Sequence, residues 1–551
     1  MSPGPSAVRA HQPCMPISHQ RGGTSMPAGE ALAGLRHWHP PGARGAQPPL
    51  VEADLVVYGG TSGGVTAAVR AARAGLSVVL AVFGDHVGGM TTGGLGLTDT
   101  GHPDSVGGLA RAFYDQVAGH YGSPAPRWDF EPHVAEGIHE RWLADAGVEV
   151  RRRQHLESIT LAEGRIEELR TDDGTRYRAP WFVDASYEGD LMAAAGVTYT
   201  TGREPATAYG ESLAGVRPST NHQFRFPVDP YVTPGDPASG LLPGISPDPH
   251  GEPGEGDHRV QAYTFRLCVT TADDRLPFPR PDGYDPGRYE LLRRHVAAGG
   301  YELYGRTCLV HSGPHGDVFD MNNHGAFSSD HIGANYDWPD AGHARREEIF
   351  QDHVRYQAGL LYFLANDPGL PAAVHEETRR FGLSPREFTD TAHWPPQLYI
   401  REARRMVAGY VVTQADGTAR ASASDPVALA SYVMDSHNAK RVVVDGAPRN
   451  EGNVQQSVTR PFGLSYRALV PRPGECENLL VAAAVSASHV AYASVRMEPV
   501  FMMLGEAAGA AAALAHAEGC PVQKVPYEAL RHELLAGGAI LDWPPPAAER
   551  P

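Results

Sequence analysis

The chain has 551 residues, of which 42% are hydrophobic and 20% charged, and a formal net charge of −17. This length exceeds what one hydrophobic core usually organises, so we expect two or three domains. The acidic balance argues against a nucleic-acid partner, because that binding draws on clustered lysine and arginine. No uninterrupted apolar run approaches the ~18 residues of a membrane-spanning helix. We therefore expect a cytoplasmic protein with a small-molecule partner, no membrane contact and an oligomeric state that the composition leaves open.

The termini and the cysteines exclude several classes of protein. Residues 1–50 are rich in Pro, Gly, Ala and Arg and contain no apolar core of a signal peptide, which predicts a disordered N-terminal extension. The five cysteines form no CxxC pair, which argues against a disulfide scaffold, a zinc cluster or a redox dithiol. We expect no metal site and reduced thiols at Cys14, Cys268, Cys308, Cys476 and Cys520.

A strand–helix–strand unit is predicted from residue 54 onward. The run Asp54–Tyr58 has the apolar, β-branched character of a buried parallel strand and ends in glycines. Small and apolar residues at helical spacing follow over 64–74, and Gly75 stands where a glycine would end the helix. A second strand over 76–82 completes the unit, which is typical of an α/β fold with a parallel sheet.

The later elements change in character along the chain. The pattern predicts helices over 107–118 and 132–146, a small antiparallel sheet from 148–159, 165–171 and 175–178, and a buried strand over 181–184. Between about 202 and 438 the composition shifts to Pro, His, Gly and aromatic residues, which indicates a loop-rich insertion with helices near 345–366 and 397–411. A buried strand at 478–482 and an Ala-rich helix over 498–518 follow.

The sequence GGTSGG at 59–64 lies between the first strand and its helix. In this position a glycine-rich turn lets the backbone approach a pyrophosphate and directs the helix N-terminus at the anion. Gly59 and Gly64 match the first and third positions of GxGxxG, but Thr61 occupies the second. Val82 stands where an acid would bind a ribose, with Asp85 as a substitute. Dinucleotide binding and a structural glycine turn both remain open from this motif.

A second glycine-rich loop follows the second strand. Its small residues leave room beside the ribityl chain and ring system of a flavin, whereas a bare NAD site does not need such a loop. A flexible surface loop is the alternative interpretation. The loop consists of Gly88, Gly89, Met90, Thr91, Thr92, Gly93 and Gly94.

Long stretches of the chain resemble the FAD-dependent oxidoreductase family. They include VVYGGTSGGVTAAVRAARAGLSVVL, HVGGMTTGGLGLTDTG, DASYEGDLMAAAGVTYTTGRE, DMNNHGAFSSDHIGANYDWP, LYIREARRMVAGYVVTQAD, SYVMDSHN, SYRALVPRPGECENLLV and SASHVAYASVRMEPVFMMLGEAAGAAAALA, and together they cover most of residues 52–535. The resemblance implies non-covalent FAD and an α/β fold: a Rossmann-like FAD-binding domain of the glutathione reductase/fumarate reductase type with an inserted α+β substrate domain. The family usually carries Glu where this chain has Val82.

This resemblance implies domain bounds and a set of cofactor-binding residues. The FAD-binding domain comprises residues 52–200 and 441–551, the latter with the C-terminal helices, and residues 201–440 form the substrate domain. A late helix beginning with Pro499 would direct its dipole at the flavin, and Gly505 and Gly509 would allow it to approach the cofactor, the sheet or another helix closely. The predicted cofactor-binding residues are Gly59, Gly60, Thr61, Ser62, Gly63, Gly64, Gly88, Gly89, Met90, Thr91, Thr92, Gly93, Gly94, Asp184, Ala185, Ser186, Pro499 and Met503.

The candidate catalytic residues lie in the loop after the late strand and in the insertion. His489 is the first choice of base for taking a heteroatom proton while hydride passes to the flavin, with a backbone-binding histidine as the alternative. Arg496 is suited to hold a substrate carboxylate or a flavin carbonyl, and His437, His324 and Arg401 are candidates from the substrate side. The leading function is oxidation of an alcohol, sugar or amine carbon. A flavin monooxygenase and a flavoprotein without its own turnover are alternatives, and His86 is a candidate for covalent flavin attachment.

Overall fold

A computed structural model describes residues 32, 34–42, 48–219, 221–300, 309–312 and 317–544, the segment 309–312 by its backbone alone. Its helices are Ser62–Arg73 (α1), Gly108–His120 (α2), Pro132–Ala146 (α3), Asp190–Ala194 (α4), Ala206–Tyr209 (α5), Glu290–Ala297 (α6), His343–Asn366 (α7), Ala372–Arg379 (α8), Gln414–Gly417 (α9), His489–Val495 (α10), Glu498–Glu518 (α11) and Tyr527–Ala536 (α12).

The strands gather into one parallel sheet and several smaller sheets. They are Leu50–Glu52 (β1), Leu55–Tyr58 (β2), Val78–Ala81 (β3), Glu149–Arg151 (β4), Leu156–Ala162 (β5), Arg165–Thr171 (β6), Arg176–Arg178 (β7), Trp181–Asp184 (β8), Tyr199–Thr200 (β9), Leu267–Thr270 (β10), Leu309–Ser312 (β11), Val318–Met321 (β12), Gly382–Leu383 (β13), Arg405–Met406 (β14), Pro426–Ala430 (β15), Met434–Ser436 (β16), Lys440–Val444 (β17), Ala447–Glu451 (β18), Val454–Gln456 (β19), Phe462–Ser465 (β20) and Leu479–Val481 (β21).

The parallel sheet has five strands in the order β21-β8-β2-β3-β4. Every residue of β2, β3 and β8 is buried, because helices and loops cover both faces of a parallel sheet. Strands from early in the chain thus lie beside one from near its end. Since open α/β sheets bind ligands at the carboxyl ends of their strands, this topology places the ligand edge after β2, β3 and β8.

Helix α11 lies directly against α1. A Cβ on Gly505 would come 2.0 Å from the carbonyl oxygen of Gly63, and one on Gly509 would come 2.3 Å from that of Ala67. The two glycines therefore serve contact between helices, which is one of the roles that the sequence left open. Although α11 is long and apolar enough to cross a membrane, 78% of its apolar window is buried inside the protein, as in a core helix. The packing brings the first turns of α1 and α11 together.

Most elements predicted for the FAD-binding part are present within a few residues. Two predictions were wrong, one in the insertion and one in the small antiparallel sheet. The expected helix over 397–411 is irregular apart from β14, since its charged side chains each reach a different buried partner and this overrides helix propensity. Residues 149–151 join the parallel sheet beside β3 instead of the small antiparallel sheet, which consists of β5, β6 and β7 with β1 added in parallel.

The N-terminal extension also departs in part from the prediction of disorder. Residues 34–42 follow a defined path on the protein, and Leu35 is buried. Residues 48–50 lead into β1, while 1–31, 33 and 43–47 lie outside the described residues. Among the cysteines, Cys268, Cys476 and Cys520 are free thiols; Cys14 and Cys308 lie outside the described part of the chain.

Candidate functional site

The glycine turn after β2 is built around Thr61, the N-cap of α1. Its hydroxyl accepts a hydrogen bond from the amide of Gly64 at 3.1 Å and donates one to the carbonyl of Ala185 at 2.7 Å. Gly64 has no room for a side chain, because a Cβ there would lie 2.0 Å from the carbonyl oxygen of Gly59. Thr61, the departure from GxGxxG, therefore fixes the turn to the residues after β8 and leaves the helix N-terminus available for an anion.

The buried carboxylate of Glu498 joins the first turns of the two helices to the second glycine loop. It accepts hydrogen bonds from the hydroxyls of Ser62 at 2.7 Å, Thr91 at 2.7 Å and Tyr187 at 2.8 Å. Burial raises the pKa of Glu498, while these hydroxyls act in the opposite direction. The sequence analysis did not single out Glu498. Pro499 and Met503 follow it on α11 and are buried with it.

A cavity of about 480 Å³ opens at the ligand edge of the sheet. It reaches from the loop after β3 past the first glycine turn to the second glycine loop. From the predicted cofactor set it is lined by Gly60, Thr61, Gly89 and Gly93. The cavity is also lined by residues outside the predicted cofactor set. They include Phe83, Arg153, Tyr187, Glu188, Asp390 and Gln397, together with His37 and His39 of the N-terminal segment.

Glycine is required where the second loop borders this cavity. At Gly89, where φ is +57°, a Cβ would lie 2.3 Å from the hydroxyl of Tyr187, and at Gly93 it would lie 2.4 Å from the Cβ of Gln397. The amide of Met90 donates to the hydroxyl of Tyr187 at 2.9 Å. Gly88, also in the left-handed region, and Thr92, whose hydroxyl bonds the carbonyl of Val87, shape the loop. The loop is thus a compact wall with a defined conformation.

Asp184, Ala185 and Ser186 support the site from behind and do not line the cavity. The Asp184 carboxylate accepts hydrogen bonds from the amide and hydroxyl of Ser186 and from the amide of Met192. Burial raises the pKa of Asp184 to about 6. The next two residues, Tyr187 and Glu188, reach the cavity instead. The buried strand that ends at Asp184 was the signal that pointed to this edge.

Glu188 lines the cavity and has one side-chain oxygen without a hydrogen-bond partner among the described residues. Its side chain is 2% exposed, the indole of Trp338 donates to its Oε1 at 3.2 Å, and its Oε2 has no hydrogen-bond partner among the described residues. Burial raises the pKa of this carboxyl group, and the charge of Arg346 partly offsets the increase. A buried acceptor without a partner is costly, so this atom is suited to a bound polar ligand.

None of the five predicted catalytic residues lines the cavity, but four of them share partners in one network that includes Tyr399, two residues along the chain from Gln397. Arg401 is buried and its guanidinium lies 2.9 Å from Oδ1 of Asp330. The other oxygen of Asp330 lies 2.7 Å from Nδ1 of His437. Burial alone would raise the pKa of Asp330, but the neighbouring charges of Arg401 and His437 outweigh it and lower the pKa. Asp330 is therefore an ionised orienting group for His437.

Arg496 closes the same network from the late loop. Its guanidinium donates to the hydroxyl of Tyr399 at 2.9 Å and to the carbonyl of Asp435 at 2.8 Å. The Asp435 carboxylate also lies 3.5 Å from Nε2 of His437. Tyr399 follows Gln397 by two residues, so this network continues from the wall of the cavity. The sequence analysis identified the histidine and the arginines but not their carboxylate partners.

His489 lies at one side of the network with both ring nitrogens engaged. Nδ1 is 2.8 Å from Oε2 of Glu402, and Nε2 is 3.2 Å from the hydroxyl of Ser436. Burial would raise the pKa of Glu402, but the charges of His489 and Arg405 outweigh it, so the pKa falls to about 2. His489 is thus a buried side chain held by hydrogen bonds at both ring nitrogens at the start of α10.

His324 lies at the edge of this network. Its ring faces that of His222, with centroids 5.9 Å apart. Burial lowers the pKa of His222, and the charge of His437 adds to that effect, which links this pair electrostatically to the network. The structure thus joins four predicted residues through shared partners: His437, Arg401, Arg496 and His489. His324 is linked to this network through His222.

Comparison with known families identifies the chain. The profile of a family described as "FAD dependent oxidoreductase" matches residues 54–534. The protein belongs to this family. The match covers most of the chain, including both glycine-rich segments, the network and α11. As a member of this family, the oxidoreductase has FAD as its cofactor. No curated protein matches this oxidoreductase.

Solved structures show only partial likeness to this oxidoreductase. The OxyS anhydrotetracycline hydroxylase from Streptomyces rimosus is 13% identical over 28% of this chain and 36% of that chain, with a TM-score of 0.23. The L-proline dehydrogenase from P. horikoshii is 15% identical over 29% and 59%, also with a TM-score of 0.23. This chain therefore spans about a third to three-fifths of these proteins, and such partial likeness carries no argument about its substrate.

The residues around the cavity fit FAD. The N-terminus of α1 at Gly60 and Thr61 offers an anion site for a pyrophosphate, and Oε2 of Glu188 offers an unpaired acceptor for a polar group. Gly89 and Gly93 keep the wall free of side chains, as a bulky ring system requires. These residues would hold the cofactor of this oxidoreductase.

Proposed function

We propose that this oxidoreductase removes a hydride and a proton from an alcohol, sugar or amine carbon of a polar small molecule. The observation that carries the proposal is the His437–Asp330 pair, 2.7 Å apart, in a charged network that includes Tyr399, two residues along the chain from Gln397 of the cavity wall. Bound FAD supplies a hydride acceptor at its N5 atom. The chain must then supply a group that takes the heteroatom proton, and a neutral imidazole near pH 7 suits that task.

The geometry favours one nitrogen of His437 as the proton acceptor. In this proposal Nδ1 donates its proton to Asp330 at 2.7 Å, and Nε2, which lies 3.5 Å from the nearest described carboxylate, takes the substrate proton. The Asp435 carboxylate, 3.5 Å from Nε2, is close enough to stabilise the ring once it is protonated. Arg401 and Arg496 hold the two carboxylates in position. His489 remains a candidate base, but it would first have to release Ser436.

Binding of FAD without a covalent bond is part of this proposal. His86 lines the cavity, but its Nδ1 lies 3.0 Å from Glu136 and its Nε2 lies 3.0 Å from Asp390. Burial acts to lower the pKa of His86, and the two carboxylates outweigh it and raise the pKa. A ring with an acid at each nitrogen and a raised pKa is a poorer nucleophile than a free imidazole, which supports non-covalent binding.

We also propose that residues 201–440 form an inserted substrate domain in an architecture of the glutathione reductase/fumarate reductase type. The parallel sheet that borders the cavity takes strands from 55–58, 78–81, 149–151 and 181–184 and then from 479–481. The intervening segment contributes Asp330, Arg401 and His437 to the network. In this arrangement the small-molecule substrate would lie between the inserted residues and the flavin.

An anaerobic screen of alcohols, sugars and amines for flavin bleaching tests the proposed reaction. With a substrate in hand, His437→Ala should slow flavin reduction about 100-fold, because general bases contribute on that order. His489→Ala should retain reduction to within about tenfold, and His120→Ala, an exposed site on α2, should match the wild type. A 100-fold loss in His489→Ala alone would transfer the role of base to His489. Flavin reduction only by NAD(P)H, coupled to oxygen consumption, would instead support the monooxygenase alternative.

A further inference from the structure

The N-terminal segment 34–42 lies outside the family match, which begins at residue 54, yet it is fixed to the protein at several points. The amides of His37 and Trp38 both donate to Oε2 of Glu347 on α7, at 2.8 and 2.9 Å. The indole of Trp38 donates to Asp172 at 2.7 Å, in the turn between β6 and β7. The segment therefore bridges the antiparallel sheet next to the Rossmann-like unit and the longest helix of the proposed substrate domain.

This segment also forms part of the wall of the cofactor cavity. His37 and His39 line the cavity together with Val82 and Asp85 from the end of β3. In a Rossmann-like unit the end of the second strand is where the ribose of the adenosine half binds. The segment therefore lies at the adenosine end, away from Gly93 and Gln397 at the other end.

The usual acceptor for that ribose is missing from β3. The side chain of Val82 has no polar atom, and the Asp85 carboxylate is engaged by the guanidinium of Arg153 through two hydrogen bonds of 2.8 Å. His39 lies close enough to Asp85 and Arg153 to interact with their charges, and its buried Nδ1 has no partner among the described residues. His39 lines the cavity, and a buried polar atom without a partner is costly, so a ligand that hydrogen-bonds this ring would be favoured.

The segment supports a second cavity group from behind. The ring of His37 packs on that of Trp338 with centroids 4.9 Å apart. Trp338 in turn donates its indole N–H to Oε1 of Glu188, a residue of the cavity wall whose Oε2 has no partner among the described residues. The segment thus contributes one residue of the cavity wall, His39, and supports a second, Glu188, through Trp338. Each of the two has an unpaired polar atom, Nδ1 of His39 and Oε2 of Glu188.

We propose that residues 34–42 form a strap that closes the adenosine end of the FAD site, with His39 as a direct contact of the adenosine half. The strap takes the place of the acid that β3 lacks. It also slows the departure of FAD, because Trp38 holds the strap to Glu347 on α7 and to Asp172 after β6. In this proposal the cofactor site of this chain includes residues outside the family match.

The dissociation rate of FAD from the full-length holoenzyme, followed by flavin fluorescence, tests the strap. Trp38→Phe keeps the ring but removes the hydrogen bond to Asp172, and His39→Ala removes the proposed contact. Each should speed release about three- to tenfold, the effect of one hydrogen bond. His532→Ala on the exposed face of α12 should leave the rate unchanged. Release at the wild-type rate in both strap variants would overturn the proposal.

Tryptic cleavage after Arg36 provides a second readout on the unmodified chain. The side chain of Arg36 is 40% exposed within the strap. If the strap closes over the adenosine half, saturating FAD should slow this cleavage several-fold relative to the apoprotein, and adenosine diphosphate should reproduce much of the protection. Equal cleavage with and without FAD would show that the strap does not sense the cofactor and would overturn the proposal.

Discussion

Single side chains determine how charge is distributed in this oxidoreductase. Glu402 is fully buried and is shared by His489, Arg405 and Gln261, while Glu188 is buried with one oxygen unpaired. Glu402 stabilises the fold because each of its partners is satisfied. Glu188 is unsatisfied without a ligand, and such groups are typical of binding sites. This difference gives the two glutamates opposite expected phenotypes.

Replacing Glu402 should destabilise the fold. Glu402→Gln removes the buried carboxylate that His489 and Arg405 share, so we expect a loss of about 3–5 kcal/mol in the free energy of unfolding. Urea denaturation measures it, with Glu348→Gln in an exposed ion pair as the control that changes little. An unchanged unfolding midpoint in Glu402→Gln would contradict the structural role.

Glu402 also makes the stability of the fold depend on pH. The pKa of Glu402 is about 2 in the folded chain against an ordinary value of 4.5, so the folded state favours the ionised form. The stabilisation is complete above about pH 4.5 and is lost as the pH falls toward 2. Unfolding midpoints measured from pH 6 downward, in steps of about half a unit, should therefore converge for the wild type and Glu402→Gln at low pH. A constant difference between them would contradict this linkage.

Replacing Glu188 should affect cofactor affinity more than folding. Glu188→Ala removes the unpaired acceptor, and we expect FAD to bind about tenfold more weakly, which corresponds to about 1.4 kcal/mol. Fluorescence titration of the apoprotein measures the affinity, with the exposed Glu167→Ala on β6 as the control. Wild-type affinity in Glu188→Ala would exclude a contact between this carboxyl group and FAD.

At the scale of elements, the contact between α1 and α11 positions the site. The hydroxyl of Thr66 donates to the carbonyl of Met502 at 2.7 Å, and Gly505 brings the backbones together. This contact places Glu498 beside Ser62 and Thr91. The sequence predicted both helices closely, because their strands, glycines and Ala-rich periodicity are local signals. It could not show that they touch, since a glycine fits a sheet, a cofactor or a helix equally well.

A methyl group at this contact should force the helices apart. In Gly505→Ala the new Cβ would lie 2.0 Å from a backbone carbonyl that cannot move alone, so we expect a loss of about 3 kcal/mol and weaker FAD binding. Gly119→Ala on α2 has free space around its Cβ and should instead raise stability by up to about 1 kcal/mol. Thermal unfolding of the two apoproteins compares them, and equal midpoints would contradict the close contact.

For the whole molecule, the sequence predicted the Rossmann-like half better than the network around His437. The βαβ unit, the late strand and the long helix follow from hydrophobic periodicity, which depends on near neighbours. Asp330, the partner that His437 and Arg401 share, lies more than 70 residues from both in the chain. Spacing could not pair Asp330 with them, nor Glu402 with His489. The predicted helix over 397–411 failed for the same reason, since distant carboxylates decide its backbone path.

The central claim is that FAD occupies the cavity between the two glycine segments. Titration of the apoprotein with FAD, followed by flavin fluorescence and by absorbance after gel filtration, tests it most directly, with Gly60→Val as the matched variant. A Cβ at residue 60 would lie 2.6 Å from the side chain of Val82, at the cavity wall. The account predicts one FAD per wild-type chain and a loss of affinity of at least about tenfold in Gly60→Val. A colourless wild-type protein after reconstitution, or equal affinity in the variant, would contradict it.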